Sequence, residues 1–316
     1  MEKKKNDFIA QGSILAVASI LVRVMGMIYR IPMTAIIGDK GNGFYSYAYS
    51  VYTILLLLSS YSLPLAVSKM VSAKAQLGQW RNVKRVFICA IAFAIGIGTT
   101  FGLIVLIGAQ FFTRVFFHSE LAAIALRFMA PTILIMALLG VFRGFFQGLQ
   151  NTLPTAVSQI VEGLINAIMS VVFAYFLFDF GHGMDAASGT TDLGYAWGAA
   201  GGAIGTGAGA LAGLIFCFIL FVAYRKILAV NISRDKTGTQ QEYGDIFRLM
   251  LSIALPVILS TALYNLIELV DGSLFNNIMA SKGMEDVKDS MWGAYNAKAL
   301  LLVHIPVSIL SLIHIS

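Results

Sequence analysis

Apolar residues come in long runs separated by short polar segments. The runs cover about residues 10–37, 44–68, 86–112, 121–146, 154–178, 196–224 and 247–279, and an eighth begins near residue 290. A helix that crosses a bilayer needs about 20 predominantly apolar residues, and a barrel strand about 10. The runs are therefore too long for strands, and each predicts a membrane-spanning helix. The expected fold class is an all-α polytopic membrane protein.

The polar segments set the orientation. Lys and Arg concentrate in alternate segments: Lys3, Lys4 and Lys5; Lys69, Lys74, Arg81, Lys84 and Arg85; Arg225, Lys226, Arg234, Lys236 and Arg248. The other set holds Lys40, Arg114, Lys282 and Lys288, and its loop 179–195 carries Asp179, Asp185 and Asp192 without a basic residue. Cytoplasmic segments are enriched in Lys and Arg, so a cytoplasmic N-terminus is expected. The longest such segment, 225–246, follows six spans, and span seven then enters the membrane in the same direction as span one. That is the arrangement of a parallel repeat of six-helix lobes. The expected domains are a lobe over 1–224, a cytoplasmic linker over 225–246, part of a second lobe over 247–309, and a tail over 310–316.

Several spans carry polar groups that are expensive against lipid. Arg23 and Arg30 lie inside the first run, seven residues apart and so on one helix face. In the fifth, Ser158, Glu162 and Asn166 recur every four residues, with Gln159 alongside. In the seventh, Tyr264, Glu268 and Asp271 share a face, with Asn265 adjacent; the eighth offers Tyr295, Asn296 and Lys298. Arg143 and Gln147 end the fourth. These stripes should face a polar interior. A guanidinium is suited to phosphate through its bidentate fork, so the expected site is a headgroup cavity with Arg23 and Arg30 holding a phosphate or pyrophosphate. Gln159, Glu162, Asn166, Arg143, Glu268, Asp271 and Lys298 are its other candidate residues. As structural alternatives, the span-one arginines pair with carboxylates only to hold helices together, and Arg143 serves as an interfacial anchor. Gly201, Gly205, Gly209 and Gly213 repeat every four residues in span six, which predicts close helix packing.

Composition agrees. Of 316 residues, 58% are hydrophobic and 12% charged, with mean hydropathy +0.80; a soluble domain carries about 25% charged residues. The formal charge of +6 follows from orientation signals and calls for no nucleic acid. Cys89 and Cys217 sit in apolar runs without a CxxC pattern. His118, His182, His304 and His314 lack metal-ligand spacing, and there is no GxxxxGK[ST] nucleotide loop. No enzyme chemistry and no cofactor are expected. Transport would draw on an ion gradient, with Na+ or H+ as the coupling ion, or on the membrane potential.

"RVMGMIYRIP", "YSLPLAVSKMVSAKAQLG" and above all "FRGFFQGLQNTLPTAVSQIVEG", Phe142 to Gly163, resemble the SpoVB/YtgP group of polysaccharide-biosynthesis proteins. That group lies in the multidrug/oligosaccharidyl-lipid/polysaccharide exporter superfamily and is related to the lipid II flippase MurJ. The resemblance implies a monomeric bacterial plasma-membrane flippase with two six-helix lobes around an alternately opened cavity. Its cargo would be a lipid-linked oligosaccharide on undecaprenyl pyrophosphate. Arginines of the first span are essential in MurJ-like members, and Arg23 and Arg30 are similar in placement. Two other readings are a cation-coupled drug exporter of the same fold, using Glu268 and Asp271, and a non-transporting wall or spore assembly factor. Fixed positive charge in span one repels cationic drugs; a scaffold needs no polar stripe. The final string "LSLIHIS", Leu310 to Ser316, equals a translation of a sequencing-library transposon end, so an adapter-cut reading frame and a fragment are expected.

Overall fold

The computed structural model describes residues 2–189, 191–300 and 303. Among the described residues the chain is helical almost throughout, with no strand. Six helical stretches are long and apolar enough to cross a membrane, and a shorter apolar helix covers Gly12–Ile28. The chain is a multi-pass membrane protein.

The first apolar run is not one straight helix. α1 spans Glu2–Ile28 and α2 spans Arg30–Leu56, with the break at Tyr29. Pro32 explains it: it has no N–H to offer the carbonyl of Ile28, and its ring crowds that carbonyl. A second break falls at Gly38, whose φ of 62° and ψ of −176° suit a residue without Cβ. Here the chain doubles back. Met33 and Tyr45 both lie against Gly202, although twelve residues of straight helix would separate them by about 18 Å. Asn42 fastens the reversal by donating to Thr34 Oγ1 (3.1 Å) and to the Gly38 carbonyl (2.8 Å). The first span thus ends at the reversal, and the second continues through a π-helical turn, Leu57–Tyr61, into α3, Leu63–Gln76. Pro64 stands in the first turn of α3, where its missing donor is tolerated.

α4 (Trp80–Phe117), α5 (Ala122–Gly148), α6 (Leu153–Ser188), α7 (Leu193–Ser233) and α8 (Tyr243–Ser281) run alternately up and down. α9 (Glu285–Ala294) and a π-helical turn, Tyr295–Ala299, open the eighth run; the tail Leu310–Ser316 lies outside the described residues. α7 extends through Ser233 and α8 begins at Tyr243, so the non-helical part of the 225–246 segment is 234–242. Polar residues alone do not end a helix once it leaves the apolar layer.

α6 and α7 are the most closely paired. A Cβ at Gly201, Gly205 or Gly209 would fall within 2.6 Å of Ala174, Ser170 or the Glu162 carbonyl. The glycine ridge therefore lets the α7 backbone lie directly on α6, as small residues do in lipid. One aromatic core, in which Phe142 and Phe145 each contact both Phe87 and Phe221 and those two stack on each other, sits toward the end rich in Lys and Arg. A second, around Tyr47, Phe117, Leu126 and Met129, fills the far end.

Two fastenings tie α8 and α9 to the preceding helices. At the far end Tyr47 stacks between Phe117 and Trp292, and its hydroxyl donates to Asn276 Oδ1 at 2.9 Å. Lys288 donates to the carbonyls of Phe117 (2.8 Å) and His118 (2.9 Å), capping the end of α4. Burial holds the Lys288 ammonium below its ordinary pKa. Gly43 and Gly293 let α2 and α9 cross backbone to backbone: a Cβ at either would lie on a carbonyl oxygen of the other helix, Asp289 or Asp39. At the basic end, residues 234–242 are strapped to α4. Asp235 accepts from the Arg81 amide (2.9 Å), and buried Asn82 donates to the Thr239 carbonyl (3.1 Å) and accepts from the Gln241 amide (3.0 Å). Arg85 donates to the Gln241 carbonyl and lies over the Tyr243 ring.

Candidate functional site

The bend at Tyr29 presents Arg30 to the interior between α1, α2, α6 and α8. Two adjoining cavities meet there. One, of about 210 Å³, is lined by Tyr29, Arg30, Asn42, Tyr45, Ser46, Tyr49, Glu268 and Asn296, among others. The other, of about 160 Å³, shares Tyr29, Arg30, Tyr45 and Tyr49 and reaches Tyr52, Glu162, Asn166 and Thr206. Arg30 thus stands between the α6 stripe and α8.

Glu162 does not pair with the first-span arginines. Arg143, at the end of α5, donates through Nε to Ser158 Oγ at 2.8 Å and through an η nitrogen to Glu162 Oε2 at 2.7 Å. Their side chains keep 11% and 25% exposure, so the pair is largely withdrawn from solvent. This is a side-chain lock between α5 and α6. Farther along α6, Ser170 donates to Asn166 Oδ1 at 2.7 Å and also contacts the Gly202 carbonyl. Ser158, Glu162 and Asn166 of the stripe thus each have a side-chain partner in Arg143 or Ser170, and the cavity side presents Glu162 and Asn166.

The other predicted residues are dispersed. Arg23 is exposed on α1 and lines neither cavity. Gln159 is partly buried outside both linings, with its Oε1 lacking a hydrogen bond among the described residues. Glu268, exposed on α8, lines the larger cavity together with Arg30, whereas Asp271, one turn on and also exposed, lines neither cavity. Lys298 turns away and pairs with Asp39 at 2.7 Å across the seam between α2 and the eighth run. Among the described residues no group of three His, Cys, Asp or Glu side chains could hold a metal ion.

Residue-by-residue reading passed over the tyrosines. Tyr45, Tyr49 and Tyr52 follow i, i+4, i+7 spacing on α2 and share one face; Tyr29 joins them from the bend. Tyr45 and Tyr49 stack with centroids 5.8 Å apart, and Tyr49 and Tyr52 lie 5.9 Å apart. The Tyr45 hydroxyl meets Thr206 Oγ1 at 3.3 Å. Their spacing was visible in "YSYAYSVY", but in a membrane helix rich in aromatics it does not distinguish a core face from a cavity face.

The described residues thus form a membrane-helix bundle closed at one end over an arginine-bearing polar interior. Over 96% of its length the chain superposes on a MOP superfamily transporter from Pyrococcus furiosus, with TM-score 0.60 at 15% identity, covering 68% of that chain. In sequence, residues 8–315 match the model for the polysaccharide biosynthesis protein family, and the chain belongs to that family. It is 26% identical over 308 residues to the lipid II flippase MurJ of Bacillus subtilis and 25% identical over 307 residues to stage V sporulation protein B of the same organism. Those alignments take in 94% and 96% of this chain but 54% and 55% of the relatives. The chain therefore spans about half the length of the curated relatives it matches.

Proposed function

We propose that this chain supplies the first lobe, and the beginning of the second, of a flippase that carries a polyprenyl-pyrophosphate-linked saccharide across a bacterial plasma membrane. The observation that carries the reading is Arg30. Its guanidinium is set by a proline bend between two interior cavities, while the carboxylate nearest on α6, Glu162, is held by Arg143. Among the described residues Arg30 makes no hydrogen bond or ion pair, so its five donors remain for an anionic headgroup. The basic end, with Lys74, Arg81, Arg85 and Arg225, lies at the cytoplasmic face, and the seam of α2 and α9 closes the opposite mouth. Loading from the cytoplasmic side follows, with release when that seam parts. The cargo keeps its covalent structure, so the protein is not an enzyme. Arg23, a turn or two toward the cytoplasmic side, is the first cation the headgroup would meet.

Complementation of a flippase-depleted strain with the full-length gene tests this. Arg30→Ala should abolish growth with the protein still in the membrane. Arg30→Lys should restore it in part, because an ammonium keeps the charge and loses the fork. One charge-assisted hydrogen bond is worth about 1.5–3 kcal/mol, at least a tenfold loss of affinity. Full growth with Arg30→Ala would show the arginine to be structural and would overturn the headgroup reading.

A further inference from the structure

The cavity carries an aromatic face that a pyrophosphate does not use. Tyr45 and Tyr52 are buried at 8% and 3% exposure, but Tyr49 between them remains 38% exposed. That exposure is not toward lipid alone, since Tyr49 lines both interior cavities beside Arg30. Its two neighbours brace it: the Tyr45 ring is nearly parallel to it, at 18°, and the Tyr52 ring is tilted at 44°. Around this ring stand short neutral hydrogen-bonding groups: Asn42, Ser46 and Asn296 in one cavity, Asn166 and Thr206 in the other.

We infer that Tyr49 is the stacking platform for the sugar ring attached to the pyrophosphate, and that the surrounding amides and hydroxyls read its hydroxyl groups. The inference rests on the headgroup reading above and adds to it a specificity-determining residue. The chemistry matches a pyranose. Its C–H face is weakly positive and packs on the negative face of an aromatic ring, while its rim of hydroxyls needs neutral partners that both donate and accept. A free inorganic anion would use Arg30 and leave the aromatic face uncovered. An isoprenoid chain would gain nothing from the flanking amides and hydroxyls, whose remaining donor and acceptor positions suit a hydroxylated ring. Each cavity has room for about one ring, so the platform selects the sugar next to the phosphate and not a long glycan.

The test uses the full-length protein in detergent, with two short-chain probes: a prenyl pyrophosphate, and the same lipid bearing one N-acetylated hexosamine. Binding is followed calorimetrically. Tyr49→Ala and Tyr49→Leu should weaken the glycosylated probe roughly three- to tenfold relative to the parent and leave the bare probe unchanged. Tyr49→Phe and Tyr49→Trp should retain both affinities. Leucine restores apolar volume without a ring face, so loss in both truncations separates stacking from a packing defect. Equal weakening of both probes, or of neither, would overturn the platform. Failure of the parent to bind either probe would instead remove the headgroup reading on which it depends.

Discussion

Among the described residues, Arg143 and Glu162 pair in the interior, whereas Arg30 makes no hydrogen bond or ion pair. Arg143 and Glu162 illustrate what sequence reading could and could not supply. The α6 stripe was evident from its four-residue period, and Arg143 from its place at the end of an apolar run. Their pairing was not, because period gives a face but not the rotation of one helix against another. The lock makes a measurable claim. Removing one member of a withdrawn ion pair strands the other, so Glu162→Leu or Arg143→Leu alone should destabilise by about 1–3 kcal/mol. The double variant Arg143→Leu/Glu162→Leu should recover much of that. Thermal melts of the detergent-solubilised protein check this; a double variant as unstable as the sum of the singles would show that the pair contributes no coupling. Tyr49 marks the opposite limit of legibility: its spacing was readable, but its use depends on which side of α2 the reversal at Gly38 leaves open.

At the level of elements, the glycine ridge of α7 was read as a packing surface, and it is one; what it packs against is the polar stripe of α6. Close approach shields that stripe's backbone and leaves Glu162 and Asn166 at the cavity edge. The strap over 234–242 was read only as a polar linker, since its attachment depends on single residues of a distant helix. Asp235 is its anchor. The Arg81 amide, then the Thr237 hydroxyl and amide, hold its carboxyl at about 2, below the ordinary 3.8. A depressed folded value means that the carboxylate favours the attached strap at any pH above the unfolded value. The preference fades as pH falls from about 3.8 through about 2. Hydrogen exchange at the Arg81 and Thr237 amides should accordingly be slow and, after correction for intrinsic rates, flat in protection from pH 7 to about 4. Protection should drop in the window below. Asp235→Asn should lower it at neutral pH and remove the acid-side drop. Unchanged protection in that variant would mean that Asn82 and Arg85 hold the strap without the carboxylate.

For the whole molecule, the apolar runs and the multi-pass membrane class they define were legible, and six helical stretches of spanning length stand among the described residues. The bends were harder to locate. Pro32 and Gly38 signal breaks, but the doubling back of the chain is visible only once Met33 and Tyr45 meet at Gly202. The far-end seam between α2 and α9 joins residues some 250 positions apart and leaves no local signature beyond two glycines among thirty. Those two should be intolerant. In Gly43→Ala or Gly293→Ala the new methyl would occupy a carbonyl of the other helix, and the two helices would have to separate. The exposed pair Lys298–Asp39 is worth little on its own, so Lys298→Ala should be mild. Accessibility of a cysteine placed at Ala294, partly buried on α9, to a water-soluble maleimide compares them: it should rise strongly with Gly293→Ala and slightly with Lys298→Ala, and no rise with Gly293→Ala would mean that the seam does not depend on the bare backbone crossing. Because the crossing is made by peptide groups and is ringed by Asp39, Lys40, Asp192, Lys288 and Lys298, parting it would uncover surface that water solvates readily. The same parting would also uncover Trp292, which packs on Tyr47 and Phe275, and that apolar area costs free energy to expose. Under the proposed flippase reading, hydration of the peptide and charged groups at the crossing would offset part of the cost of uncovering Trp292, so opening would be a balance between a wet rim and an aromatic plug.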